Sequence, residues 1–171
     1  LNTMRTGIEK ARNLMTIRLA DKIGMSKILS TAGDFNIDKY LDNNLSMALG
    51  AGSITLQNLT NAYSIIANGG KKIEPKIIQS VYNKRGKIII NNETKNCKKC
   101  LQKNKEIDFS VPKIENNYSQ ILDETIAYQI TSMLEGVVLN GTGKKISSLG
   151  TPLAGKTGTT NDNKDAWFIG F

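Results

Sequence analysis

Residues 154–171 read Ala154-Gly-Lys-Thr-Gly-Thr-Thr-Asn-Asp-Asn-Lys-Asp-Ala-Trp-Phe-Ile-Gly-Phe171, two short extended segments around a polar centre. The pattern predicts a strand over residues 156–160, a turn over residues 161–163 and a second strand over residues 166–171. Because the connection between them is short, the two strands are expected to pair antiparallel, with the first at a sheet edge.

The first of these strands carries residues suited to chemistry. Successive side chains alternate, so Lys156 and Gly158 share one face and Thr157 and Thr159 the other. Gly158 lets a substrate approach the backbone closely, and the nearby hydroxyls and a backbone N–H can hold a carboxylate and an oxyanion. The pattern therefore favours the edge of an acyl-transfer site.

The same stretch also fits the bare spacing of a phosphate-binding loop, through Gly150 and Gly155-Lys-Thr157. Such a loop follows a buried strand and opens a helix. Here the preceding residues 144–149 are polar and short, and residues 157–162 are poor helix formers. A strand at Lys156 is expected, whereas a helix beginning there would support the phosphate loop.

Helical spacing of apolar residues predicts four helices. The third is expected to begin through a capping-type turn closed by Gln57, after a small, flexible segment over residues 45–52. The first predicted helix runs through Ile8, Arg12, Met15, Leu19 and Ile23 and ends at Gly24, and a short second helix covers residues 26–30 and ends before Gly33. The third begins at residues 53–57 and is ended by Asn68-Gly-Gly70. The fourth covers residues 125–139, ends at Asn140-Gly141 and has on one face Ile126, Ile130, Met133, Leu134 and Val137.

The middle of the chain has strand character. Residues 77–82 and 87–90 predict a hairpin, and residues 91–119 are polar, have no clear period and indicate an insertion. Helices followed by hairpins predict an α+β fold, with an antiparallel sheet and helices, rather than a βαβ alternation. We expect three parts: residues 1–70, helical; residues 71–121, a basic hairpin and insertion; and residues 122–171, a helix and the Lys-Thr-Gly strand.

Composition limits the possible classes of function. The chain has 171 residues, of which 39% are apolar and 22% charged, which is typical of a globular domain. Aliphatic runs are no longer than about that at residues 88–90, so no membrane span and no signal peptide are predicted. The absence of histidine excludes Ser-His, Cys-His and His-metal sites, which leaves Lys, Asp, Glu or Tyr for acid–base chemistry.

The net charge of +8 has one origin. Residues 71–113 hold 12 Lys/Arg and 4 Asp/Glu, and the charges of the flanking parts cancel each other. A solvated surface is the favoured interpretation, and attraction to an anionic polymer such as cell wall is the alternative. With a single Trp and no basic–aromatic interleaving, nucleic acid is not expected as a partner.

Several ordered segments together resemble the transpeptidase domain of class A (bifunctional) penicillin-binding proteins. The resemblance covers residues 6–70 and 122–171, about two thirds of the chain. It implies the fold shared by penicillin-binding proteins and serine β-lactamases, here incomplete at both ends. The segments that carry it are residues 154–171, Leu49-Gly-Ala-Gly-Ser-Ile-Thr-Leu56, Ala62-Tyr63 with Ala67-Asn-Gly-Gly70, Ala127-Tyr-Gln-Ile-Thr-Ser-Met-Leu134 and Asn140-Gly-Thr-Gly143.

Members of this superfamily have a Ser-x-x-Lys, a Ser-x-Asn and a Lys-Thr-Gly motif. By resemblance, Lys156-Thr157-Gly158 is the third motif, in which Lys156 would supply positive charge and assist proton movement. The hydroxyls of Thr157 and Thr159 would bind a carboxylate, and the Thr159 N–H would form half of the oxyanion hole. The second falls at Ala11-Arg-Asn13, where Asn13 would hydrogen-bond the substrate amide. Ala11 replaces the family's serine, so the hydroxyl that moves protons is missing.

The first motif has no acceptable match in this sequence. Ser110-Val-Pro-Lys113 has the spacing, but Pro112 disfavours the helix that would bring Ser and Lys together. This segment also follows the second motif, whereas the nucleophile should precede it. We therefore expect the nucleophile upstream of Leu1, and the chain alone to be inactive.

The resemblance implies a serine-type D,D-transpeptidase that cross-links peptidoglycan stem peptides and is acylated by β-lactams, without cofactor or metal. It also implies an upstream glycosyltransferase, the remaining transpeptidase segments, and a place at the periplasmic face of the bacterial inner membrane through an anchor outside this sequence. In that oxidising compartment a Cys97–Cys100 disulfide is favoured over two free thiols, and a thioredoxin-like role is disfavoured.

Two other classes of function remain open. A D,D-carboxypeptidase or β-lactamase uses the same motifs with water as the acceptor, and a β-lactamase would need a deacylating glutamate between the second and third motifs. Six glutamates lie there: Glu74, Glu93, Glu106, Glu115, Glu124 and Glu135. The second class is a non-catalytic module that binds an anionic polymer through residues 71–113.

Overall fold

The computed structural model describes residues 3–92, 95–96, 115–116, 118–160 and 164–171. The predictions for Ser110, for Cys97 and Cys100 and for the turn over residues 161–163 lie outside the described residues. The chain forms two compact units, one of residues 1–73 and 120–171 and the other of residues 74–119.

Five α-helices and eight short strands make up the regular structure of the described residues. Short 3₁₀ helices cover Asp38–Tyr40, Leu45–Leu49 and Lys144–Leu149. The helices are α1 (Met4–Glu9), α2 (Asn13–Ile23), α3 (Met25–Asp34), α4 (Leu56–Ala67) and α5 (Glu124–Asn140), and the strands are β1 (Lys71–Lys72), β2 (Ser80–Tyr82), β3 (Ile88–Asn91), β4 (Lys95–Asn96), β5 (Glu115–Asn116), β6 (Ser119–Gln120), β7 (Gly155–Thr159) and β8 (Ala166–Gly170).

The predicted opening helix is two helices, because the chain turns at Lys10–Arg12. The Arg12 N–H donates to the Gly7 carbonyl (2.9 Å) and the Ala11 N–H to that of Ile8 (3.2 Å). Ala11 has a φ of 48°. These bonds and a left-handed residue form a Schellman motif, which ends α1 although the sequence has no glycine at that position. The predicted end of α2 at Gly24 is confirmed, with φ 89°.

Other helix boundaries differ by a few residues. Helix α3 continues through Gly33 to Asp34 instead of ending before Gly33. Helix α4 is capped by Thr55, whose hydroxyl accepts from the Asn58 N–H (3.3 Å), so the predicted closure by Gln57 is wrong. The segment predicted to be small and flexible contains the 3₁₀ helix Leu45–Leu49, which the Asn44 side chain caps.

Helix α5 is confirmed, and Leu134 and Val137 of its predicted apolar face are buried, but Ile126 is not. Ile126 is 44% exposed, whereas Ala127, Leu134, Val137 and Val138 are buried. Two small residues, Ala127 and Gly136, are among the buried positions of this helix, which allows neighbouring elements to approach closely. Helix α5 packs against α1, α4 and β7 and is the centre of the first unit.

Strands β2 and β3, β4 and β5, and β7 and β8 pair antiparallel. In the second unit β2 and β3 form the predicted hairpin, with Val81 opposite Ile90 and a bulge between Val81 and Tyr82. In the first unit β7 pairs with β8 over five residue pairs, from Gly155–Gly170 to Thr159–Ala166. The predicted antiparallel partner of the Lys-Thr-Gly strand is confirmed.

Candidate functional site

Strand β7 holds Lys156 in a partly buried position opposite Ile169 of β8. The Lys156 Nζ donates to the Thr157 carbonyl at 3.1 Å. Burial lowers the pKa of the Lys156 ammonium below its ordinary value, because desolvation disfavours the charged form. A lysine whose pKa is lowered gives up its proton more readily, so Lys156 can take part in proton movement as well as supply charge.

The next residues of β7 open toward solvent. Thr157 is partly buried, whereas Gly158 and Thr159 are exposed. A Cβ built on Gly158 meets no atom within 4 Å among the described residues. A Cβ built on Gly155, by contrast, would meet the Phe168 ring and the Ile169 carbonyl. The two glycines therefore have different uses: Gly155 allows the strands to pack, and Gly158 leaves free space beside the backbone.

The Thr157 hydroxyl has a partner outside its own hairpin. Its Oγ1 lies 2.6 Å from the Oγ1 of Thr142, in the loop that follows α5. Sequence reasoning used residues 140–143 only as a helix end and as part of the resemblance, and gave Thr142 no role. The signal that could have found it is the Thr between two glycines in Asn140-Gly-Thr-Gly143.

The residues predicted to form the second motif lie where α1 ends and α2 begins. Ala11 is exposed at the left-handed position of the Schellman motif, and Asn13 is the exposed first residue of α2. Asn13 is predicted to approach Lys156 across a groove, and this stays a prediction.

Helix α1 is joined to α5 by several polar contacts. The Arg5 guanidinium donates to the Ser132 carbonyl (2.8 Å) and hydroxyl (3.1 Å), and the Lys10 ammonium donates to the Asn140 carbonyl. A Cβ on Gly136 or on Gly141 would collide with Glu9. The end of α1, and with it the second-motif turn, is therefore held against the C-terminal half of α5.

The route from this turn to β7 passes through the loop after α5. The Thr142 N–H donates to the Glu9 carbonyl at 3.1 Å, and its hydroxyl contacts that of Thr157. Thr142 thus contacts both the residue two positions before Ala11 and the middle of the Lys-Thr-Gly motif. One residue links the two segments that sequence reasoning assigned to a common site.

Two further properties concern ligands and membranes. No group of three or more His, Cys, Asp or Glu residues in the described part of the chain is arranged to hold a metal ion. Among the helices so described, none is long and apolar enough to cross a bilayer.

The family model "Penicillin binding protein transpeptidase domain" matches residues 1–171. The chain belongs to this family. The match includes residues 71–121, which the motif resemblance did not cover. The interpretation of residues 150–157 as a phosphate loop is wrong, because β7 and not a helix contains Lys156.

Curated relatives share substantial identity with the chain. Penicillin-binding protein 1A of Rickettsia prowazekii is 44% identical over 170 residues, which are 99% of this chain and 22% of the relative. That of Neisseria meningitidis is 33% identical over 171 residues, 99% of this chain and 19% of the relative. The chain therefore spans about a fifth of the length of these relatives.

Solved structures confirm the fold. The crystal structure of penicillin-binding protein 1A from Haemophilus influenzae has a TM-score of 0.79 at 23% identity, over 98% of this chain and 28% of that one. A D,D-transpeptidase domain from Eggerthella lenta has a TM-score of 0.71 at 20% identity, over 99% of this chain and 45% of that one. The predicted α+β fold of penicillin-binding proteins is confirmed at this level.

Proposed function

We propose that this chain forms part of a serine D,D-transpeptidase that cross-links peptidoglycan stem peptides. The observation that carries the proposal is strand β7, which holds Lys156, with a lowered pKa, in the same short segment as the hydroxyls of Thr157 and Thr159 and the free space beside Gly158. This arrangement combines a group that can move a proton with groups that can hold a carboxylate, which acyl transfer between peptides requires.

In the proposed reaction a serine hydroxyl supplied from outside these 171 residues attacks the carbonyl of the penultimate D-Ala. The hydroxyl loses its proton, a new ester bond forms, and the terminal D-Ala leaves with a proton on its amine. An amine of a second stem then attacks the ester and releases the serine. Lys156 assists proton movement, and the Thr159 N–H stabilises the oxyanion.

The remaining residues bind the substrate in this scheme. The Thr157 and Thr159 hydroxyls hold the terminal carboxylate, and Asn13 holds a stem amide. Ala11 lacks the hydroxyl that would pass a proton between groups. A positioned proton-transfer group is worth roughly 10²–10⁴-fold, so the reaction with Ala11 is expected to be slow.

A β-lactam carries a carboxylate and a reactive carbonyl and is expected to occupy the same groups. Penicillin-binding protein A from Mycobacterium tuberculosis, which shares the fold at a TM-score of 0.69 and 18% identity, has been solved as an imipenem acyl-enzyme complex. The proposed enzyme works at the periplasmic face of the inner membrane beside a glycosyltransferase, and the scheme uses no cofactor or metal.

A chimera tests the proposal. This sequence would replace the matching 170 residues of the Rickettsia prowazekii protein, and labelling by a fluorescent penicillin would be compared with that of the unaltered relative. We expect a labelled chimera, and a labelling rate that falls roughly 10²–10⁴-fold in Lys156→Ala. The exposed Lys164 provides the control, since Lys164→Ala should label like the parent. An unlabelled chimera that is folded would overturn the proposal.

The other classes of function give different outcomes in the same protein. A carboxypeptidase or β-lactamase would release hydrolysed stem or hydrolysed penicillin in place of cross-linked product. A non-catalytic module would bind isolated cell wall equally well before and after Lys156→Ala, without labelling. The chain alone should form no covalent adduct by intact mass, and an adduct on Ser110 would contradict that expectation.

A further inference from the structure

We propose that Thr142 is a positioning residue that sets the Thr157 hydroxyl for the carboxylate of the substrate. The proposal rests on the proposed function and adds a residue to it. Thr142 lies in the loop after α5, 15 positions before Thr157 in the chain, and is not part of the Lys-Thr-Gly motif.

The contact between the two hydroxyls can run in either direction, and a bound carboxylate would set which one donates. Their Oγ1 atoms are 2.6 Å apart, within the range of an O–H···O hydrogen bond. A hydroxyl has one proton to donate and two lone pairs to accept with. If Thr157 donates to a bound carboxylate, it can only accept from Thr142. The two hydrogen bonds, from Thr142 to Thr157 and from Thr157 to the carboxylate, then both have their donors directed toward the negative charge, and each bond polarises the next.

Thr142 is itself held in place by backbone contacts on both sides. Its N–H donates to the Glu9 carbonyl at 3.1 Å, and the N–H groups of Gly141 and Gly143 donate to the Val137 carbonyl at 3.1 and 3.0 Å. Gly143 is buried, and a side chain at Gly141 would meet the Glu9 carbonyl. A hydroxyl on so constrained a backbone can hold its neighbour in one rotamer.

This role makes a specific prediction about ligands. A hydroxyl aimed at a carboxylate discriminates between a free acid and its ester, because the ester lacks the negative charge. Damage to the strand itself would weaken the binding of both. The difference between acid and ester therefore separates positioning of Thr157 from a purely structural role.

Titration of the 171-residue chain with benzylpenicillin and with its methyl ester, followed by NMR shifts of Thr157 and Thr159, tests the inference. We expect Thr142→Val to raise the Kd for the acid about two- to tenfold and to leave that for the ester unchanged. Thr142→Ser keeps the hydroxyl and should retain the preference. The exposed Thr31 of α3 provides the matched control, as Thr31→Val should change neither Kd.

A double-mutant cycle adds a second reading. When Thr157 is already valine, Thr142→Val should have no further effect on the acid, because the group it positions is gone. Equal losses for acid and ester, or an additive cycle, would overturn the inference while leaving the proposed function intact. A wild-type chain that does not prefer the acid would refute the carboxylate site itself, and with it both proposals.

Discussion

Position 11 allows stability and activity to be changed separately. Ala11 occupies the left-handed residue of the Schellman motif that ends α1, with a φ of 48°. Glycine adopts this conformation without penalty, whereas serine and alanine both have a Cβ that opposes it. Ala11→Gly should therefore relieve strain without adding a hydroxyl, and Ala11→Ser should add the hydroxyl without relieving strain.

The expected magnitudes follow from the geometry. A left-handed residue with a Cβ costs roughly 1–2 kcal/mol, and glycine loses about 0.4–1 kcal/mol more conformational entropy on folding. The net gain for Ala11→Gly is about 0–1.6 kcal/mol in the free energy of unfolding, centred near 0.8 kcal/mol, which corresponds to a Tm rise of about 2–3 °C for a chain of this size. Ala11→Ser should leave Tm unchanged and raise the acylation rate of the chimera roughly 10²–10⁴-fold.

Thermal unfolding of the chain and penicillin labelling of the chimera measure the two effects. Ala67 is the control for stability. It is the exposed last residue of α4, has no strain to relieve, and Ala67→Gly should lower the free energy of unfolding by up to about 0.5 kcal/mol. A lower Tm for Ala11→Gly would refute the assignment of strain at this position. No acceleration in Ala11→Ser would show that Ala11-Arg12-Asn13 is not the second motif.

Two further predictions concern strand β7. Gly158→Ala should keep Tm within about 2 °C, since its Cβ would point into free space, but should slow labelling of the chimera at least tenfold by obstructing the ligand. Its matched partner Gly155→Ala should lower the free energy of unfolding by about 1–3 kcal/mol, because the new Cβ would meet Phe168; equal effects of the two on Tm would contradict the assigned uses. The pKa of Lys156 is lower in the folded chain than in the unfolded chain, so between these two values the unfolded chain binds more protons and the free energy of unfolding rises with pH. Lys156→Met should flatten this rise, which denaturant unfolding at several alkaline pH values measures. An unchanged slope would show that Lys156 is not desolvated.

The sequence was informative where local pattern alone determines structure. Two extended segments around a polar turn are sufficient to predict β7 and β8, and the Asn-Gly pair predicts the end of α5 near residue 140. The Lys-Thr-Gly strand and the faces on which its candidate site residues lie could be predicted from the sequence for the same reason. Their side chains lie within one short strand, whose alternation follows from backbone geometry.

Tertiary contacts determine what the sequence did not reveal. The turn at Lys10–Arg12 contains no glycine or proline, and helical spacing of apolar residues runs straight through it. The contact of Thr142 with Glu9 and the glycines that face Glu9 come from α5 and its following loop, more than 120 positions along the chain. Such contacts can stop a helix that local propensity would continue.

The contacts that hold the second-motif turn do not use the side chain of Ala11. They run through the carbonyl of Glu9, the ammonium of Lys10 and the loop at Thr142, and Ala11 contributes its backbone alone to the Schellman motif. In the proposed function Ala11 lacks the hydroxyl that would carry a proton, and the described bonds that shape the turn form without such a hydroxyl. A hydroxyl restored at position 11 would be placed by the same backbone, which is why a single substitution is expected to recover rate without rebuilding the site.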